Sequence, residues 1–186
     1  MRGALYDAVV RRSRGLERAR AALLADVHGR VLEIGAGTGL NAPHYPGGAE
    51  VTFTEPDPRM ARQLEVVQAV AEELPFADAS FDVVVSTLVL CTVADLGRSL
   101  QEVRRVLAPG GTLRFIEHVR GPDGSRLARR QDRVNPLWRR LAGGCNCNRR
   151  TLAALAAEGF EVDAHVLPFA PPLTRPVYTG AARVPR

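Results

Sequence analysis

Val31-Leu32-Glu33-Ile34-Gly35-Ala36-Gly37-Thr38-Gly39 is a short apolar run that carries one carboxylate and gives way to glycines at alternate positions. Val31, Leu32 and Ile34 read as a strand of a buried parallel sheet. Gly35, Gly37 and Gly39 let the backbone turn sharply and approach a ligand at backbone angles that cost other residues a steric penalty. A dinucleotide fingerprint would carry its third glycine at position 40, where this chain has Leu40. Glu33 points away from dinucleotides as well, because a carboxylate at the mouth of the loop repels a pyrophosphate and suits a cationic amino-acid moiety. S-adenosylmethionine has such a moiety and no phosphate.

Further segments follow the loop in order. Val51-Thr52-Phe53-Thr54-Glu55 reads as a second strand ending in an acid, and a carboxylate can accept two hydrogen bonds from a ribose diol. Ala71-Glu72-Glu73-Leu74-Pro75-Phe76, Ser80-Phe81-Asp82-Val83-Val84-Val85-Ser86 and Leu107-Ala108-Pro109-Gly110-Gly111-Thr112-Leu113 come next. Together with the glycine loop they resemble the class I S-adenosylmethionine-dependent methyltransferases of the ubiquinone-biosynthesis type, over most of the chain. The resemblance implies that S-adenosylmethionine is held by Glu33, Gly35, Ala36, Gly37 and Gly39, by Glu55 and Pro56 at the second strand end, by Ala71 and Glu72 beside the adenine, and by Thr87 and Leu88 at the next strand exit. It also implies that Tyr6, on an N-terminal helix, folds over the cofactor.

Length and charge fit one such unit. A chain of 186 residues, 46% hydrophobic, buries one substantial core, so residues 1–186 are expected to form a single domain. No run of 18 apolar residues is present, and the Arg-rich start lacks the apolar core of a secretion signal, which predicts a cytoplasmic protein with no stable membrane insertion. The net charge of +5 rests wholly on arginine, since the chain has no lysine. Beside abundant Ala, Gly and Pro this reads as compositional bias, and no nucleic-acid partner is expected.

The periodicity predicts helices over 4–25, 38–44, 58–64 and 150–158, and another bearing Leu96, Leu100, Val103 and Val106 on one face. Strands are expected at 31–34, 51–54, 66–70, 82–87, 112–119, 160–167 and 176–183. The expected fold is therefore α/β: a doubly wound, mostly parallel, seven-stranded Rossmann-like sheet closed by a C-terminal antiparallel hairpin. Fifteen residues between Glu55 and Ala71 leave little chain for a helix and a third strand. Residues 126–150 carry eight arginines and one acid, interleaved with apolar positions, and read as an amphipathic helix face bent at Pro136.

The acceptor is a separate question. The exit of the fourth strand, Ser86-Thr87-Leu88-Val89-Leu90-Cys91, is apolar and lacks the Asn-Pro-Pro-Tyr-like signature of enzymes that methylate bases or glutamine, which predicts a small or hydrophobic acceptor. Thr87-Leu88-Val89-Leu90-Cys91-Thr92-Val93, Phe115-Ile116-Glu117-His118-Val119, Asn135-Pro136-Leu137-Trp138, Gly144-Cys145-Asn146 with Arg149, and Arg175-Pro176-Val177-Tyr178-Thr179-Gly180 resemble the methyltransferase-like protein 7 group. That resemblance implies thiol S-methylation. Animal members begin with a hydrophobic anchoring segment absent from this sequence, so their membrane association is not carried over, and Asn135 stands where they usually have Asp.

A thiol needs only modest help to ionise near neutral pH, so positioning and desolvation supply much of the catalysis. His118, at the end of the fifth strand, is the candidate base. Glu117 beside it should point to the other face of the sheet. Asn41, His44, Cys91, Cys145 and Asn146 are the candidate acceptor contacts. Cys91, Cys145 and Cys147 with His118 do not follow a zinc spacing, so no metal is expected. O-, N- or C-methylation of a small aromatic or quinone-like metabolite, and a non-catalytic domain that binds S-adenosylmethionine, are the alternatives.

Overall fold

The computed structural model describes residues 13–168 and 175–185. Tyr6 and the first part of the expected N-terminal helix lie outside these residues. Ser13 opens helix α1 (Arg14–Leu24), its side chain accepting the Leu16 N–H at 3.3 Å. The stripe Leu16, Ala19, Leu23 and Leu24 is buried against Val31, Val85 and Ile116 on one face of the sheet. The remaining elements are β1 (Gly29–Ile34), a 3-10 turn (Ala42–His44), β2 (Ala49–Phe53), β3 (Phe81–Thr87), α2 (Leu96–Val106), β4 (Leu107–His118), α3 (Arg126–Leu141), α4 (Thr151–Ala157), β5 (Glu161–Val166) and β6 (Val177–Arg183).

The strands lie in the order β2-β1-β3-β4-β6-β5. The first four are parallel, while β6 runs antiparallel to both β4 and β5, which gives the expected doubly wound sheet and its closing hairpin. On the face opposite α1, α2 covers the sheet with Leu100, Val103 and Val106, all fully buried with Leu32, Val84, Leu113 and Phe115. Each such side chain contributes about 1.5–3 kcal/mol of apolar transfer, the force that fixes the helix to the sheet. Asp95 caps α2 by accepting the Arg98 N–H at 3.0 Å.

Several expectations are corrected. The described sheet has six strands instead of seven. The strand expected at 66–70 reduces to isolated bridges, Thr54 with Val67 and Val70 with Glu73, and the helix expected at 58–64 reduces to turns. A parallel crossover needs a dozen or more residues before its next strand starts, and the short link cannot supply both. The helix expected at 38–44 contracts to the 3-10 turn, because Pro43 suits only a helix start and Pro46 pulls Tyr45 into extended backbone. Pro136, expected to interrupt its helix, lies inside α3, which is assigned continuously across it.

Candidate cofactor and acceptor site

The glycine loop leaves the C-terminal end of β1 as expected. Gly35, Gly37 and Gly39 all have positive φ, at 59°, 57° and 81°. Gly35 and Gly37 do different work. A methyl group on Gly35 would stand 2.8 Å from Val89, so that position needs a bare backbone for packing. One on Gly37 would have nothing nearer than 3.9 Å and would fill open cleft. Glu55, at the end of β2, accepts the Gly37 N–H at 2.9 Å and the Asp57 N–H at 3.1 Å, so it braces the loop from below.

The loop forms one wall of a cleft with about 290 Å³ of empty space, lined by Arg20, Glu33, Gly35, Ala36, Gly37, Thr38, Leu40, Asn41 and Thr87. Glu33 is 3% exposed and accepts hydrogen bonds from Asn41 Nδ2 at 3.1 Å and from the Tyr45 hydroxyl at 2.6 Å. Burial pushes its carboxyl up to about 7, against the opposing pull of Tyr45, Asn41 and Arg20. Asn41 also donates to Thr87 Oγ1 at 3.0 Å and accepts from Arg20 Nη1 at 2.6 Å. The cleft therefore places a cation, Arg20, and a carboxylate, Glu33, on two sides of one amide.

Sequence reasoning overlooked Arg20. Its signal was available, because Arg20 interrupts the apolar stripe of α1 and a charge on an inward-facing helix position calls for a partner.

Other expected contacts also have duties within the protein. Glu72 does not reach the cleft: its carboxylate accepts the N–H groups of Ala94 at 2.6 Å and Asp95 at 3.1 Å, fixing the start of α2. Ala71 packs in the core. Gly39 is closed over by Leu64, 2.9 Å from where a side chain would begin. Pro56 gives its carbonyl to Gln68. Leu88 adopts a positive φ of 59° and donates its N–H to Ile116 at 2.8 Å, so it turns the β3 exit. Asn41 contacts Glu33 and Thr87 as an internal brace. His44 pairs with Glu17 of α1 at 3.0 Å.

The remaining candidates meet beyond the ends of β3 and β4. His118 Nε2 lies 3.1 Å from Cys145 Sγ, and Trp138 donates its indole N–H to the same sulfur at 3.2 Å. Cys91 Sγ donates to the Leu88 carbonyl at 3.4 Å and lies within 4.8 Å of Cys145 Sγ, a proximity that holds the Cys145 thiol well below its ordinary value, with His118 and Trp138 adding to the effect, and drives the Cys91 thiol up. Burial works to lower the His118 value, and the Cys145 contact overcomes it. Asn146 donates its backbone N–H and its Nδ2 to the Cys91 carbonyl, at 2.8 and 3.2 Å, tying the loop after α3 to the β3 exit. Glu117 points elsewhere, as the alternation of a strand requires: its Oε1 accepts from Ser86 Oγ and from the N–H groups of Val89 and Leu90, at 2.8–3.0 Å. Trp138 closes the Asn135-Pro136-Leu137-Trp138 motif, but nothing in its spacing announces that it meets Cys145.

Residues 32–115 match the methyltransferase domain family. The chain is 41% identical to thiol S-methyltransferase TMT1B of Rattus norvegicus over 135 residues, which cover 65% of this chain and 55% of that protein. It is 39% identical to thiol S-methyltransferase TMT1A of Homo sapiens over 146 residues, covering 70% of this chain and 59% of that protein. The chain thus spans somewhat over half the length of these relatives. Among solved structures, an S-adenosylmethionine-dependent methyltransferase from Thermotoga maritima superposes with a TM-score of 0.72 at 25% identity, covering 97% of this chain and 94% of that one. The braced glycine loop at the end of β1, the acid at the end of β2, the sheet order and these likenesses agree, and the chain belongs to the class I S-adenosylmethionine-dependent methyltransferases.

Proposed function

We propose that the protein transfers the methyl group of S-adenosylmethionine to a small-molecule thiol, giving a thioether and S-adenosylhomocysteine. The single observation that carries the choice of a thiol is the 39–42% identity to proteins named as thiol S-methyltransferases.

The residues of the cleft fit the cofactor. Gly37 leaves open the space that a side chain would fill. Arg20 and Glu33 offer opposite charges to the carboxylate and ammonium of an amino-acid moiety. Glu55 keeps acceptor capacity for a ribose diol beside the amides it already holds. When bound, S-adenosylmethionine supplies a methyl group on a sulfonium centre, open to in-line displacement. The protein's part is to hold the acceptor in line and to keep water out, so that positioning and desolvation lower the barrier. His118 is proposed to take the acceptor's proton at Nε2. Its ring already meets one sulfur, that of Cys145, at hydrogen-bond distance.

The test is release of S-adenosylhomocysteine by the purified protein with alkyl and aryl thiols set beside matched phenols and amines. Turnover confined to thiols is the expected result. Turnover with a phenol or amine and none with thiols would replace the proposed acceptor while keeping the methyltransferase, and tight cofactor binding with no turnover on any of them would favour a binding domain.

A further inference from the structure

The Cys91, His118 and Cys145 side chains bring one ligand atom each to within 4.8 Å of one another, and all three residues are buried. We propose that these three side chains form a binding site for a thiophilic divalent cation of the zinc type, with a fourth coordination position left to an exogenous ligand. Two sulfurs and one imidazole nitrogen are the donor set that such cations select, and three protein donors with one open position is a recurring arrangement for them. The absence of a Cys-x-x-Cys pair argued against a metal in the sequence, but here the donors come from three separate places: the β3 exit, the end of β4 and the loop after α3. The third cysteine of the chain, Cys147, takes no part. It faces the Gln131 carbonyl and Asn135 Oδ1, at 3.7 and 3.6 Å.

The surroundings suit a cation. The Trp138 indole N–H already donates to Cys145 Sγ, the kind of outer contact that steadies a metal-bound thiolate. Asn146 fixes the Cys145 loop against the Cys91 carbonyl, so two of the three ligands are held together by backbone. Glu117 is fully buried, and its Oε2 has no hydrogen-bond partner among the described residues. Burial raises its carboxyl above the ordinary value, and a cation in the cluster would offset the cost of its ionised form. Binding there would engage the His118 Nε2 lone pair, so occupancy would withdraw the proposed proton acceptor and inhibit methyl transfer.

The experiment is titration of the fully reduced, metal-free protein with Co²⁺, which reports thiolate ligation by its charge-transfer absorption and tetrahedral geometry by its visible bands. One equivalent giving both signatures, displaced by Zn²⁺, is expected. Cys147→Ser should leave the spectrum unchanged. Cys91→Ser and His118→Ala should each weaken binding by more than the ~10–100-fold that outer contacts carry. Absence of saturable binding to the wild-type protein would overturn the proposal without recourse to any variant. So would a thiolate signal lost in Cys147→Ser, or one retained at full strength in a Cys91→Ser variant whose circular dichroism matches wild type. The readout is metal binding itself, so it stands or falls apart from the methyltransferase reading.

Discussion

Gly37 and Gly35 sit two residues apart with nearly the same φ, yet a methyl group added to each should fail differently. Gly37→Ala is expected to fold, with a backbone strain of about 1–2 kcal/mol, and to lose cofactor affinity because the new group occupies the cleft. Gly35→Ala adds a contact with Val89 at 2.8 Å to the same strain and should lower the melting temperature further. Thermal unfolding beside S-adenosylhomocysteine titration separates the two. Glu33 allows a second prediction. Its carboxyl protonates at about 7 in the folded protein against 4.5 for the free side chain. Between those values the folded state binds more protons than the unfolded one, so this contribution to stability is complete below about 4.5 and is lost as pH rises through about 7, amounting to about 3 kcal/mol. Glu33→Gln should flatten stability over that window in denaturant titrations. In the wild type, affinity for the ammonium-bearing cofactor should rise over the upper part of the same range as Glu33 ionises, and the variant should show no such rise.

Between α3 and the sheet the decisive side chain is Gln131, which is fully buried. It accepts the Gly121 N–H at 2.7 Å and donates to the carbonyls of Arg175 at 2.8 Å and Val119 at 3.4 Å. Gln131→Ala should cost about 1–3 kcal/mol, because it strands buried backbone groups, and a fall in the denaturation midpoint with unchanged m-value would register it. Nothing about Gln131 in the sequence distinguished it from a solvent-facing residue of a basic helix. Elements with a strong local signal were legible: α2 contains the apolar face expected at Leu96, Leu100, Val103 and Val106, and β3, with its consecutive valines, falls within a residue of expectation, as does β6. The link between Glu55 and Ala71 was not, since its composition allows a strand and only the length of chain available forbids it. The site divides the same way. Glu33, Glu55 and the glycines follow from local chemistry and Arg20 stands out within the apolar stripe of α1, whereas the meeting of Trp138 with Cys145 and the duty of Glu72 depend on contacts between distant segments that no local pattern encodes.

At the scale of the molecule, the ion pairs around Arg120 carry little energy. Arg120 pairs with Asp123 and with Asp132, and Asp123 also pairs with Arg150, but the acids are largely exposed. Such pairs are worth about 0–1 kcal/mol each, so Asp132→Ala and added salt should both move the melting temperature only slightly. No helix among the described residues is long and apolar enough to cross a membrane. Leu137 and Leu141 on α3 are exposed at 63% and 77%.

The candidate cofactor cleft is assembled from α1, the end of β1, the glycine loop and a single residue of β3, so every lining position but Thr87 falls between residues 20 and 41. Closing so short a span costs little chain entropy. A ribosome that has extruded the chain through β3 has delivered every lining residue, while the cluster of Cys91, His118 and Cys145 must wait for nearly sixty further positions. The cleft and the cluster are thus separated in the order of synthesis, and a polypeptide arrested between them would carry the full lining of the candidate cofactor cleft with the candidate acceptor side unbuilt.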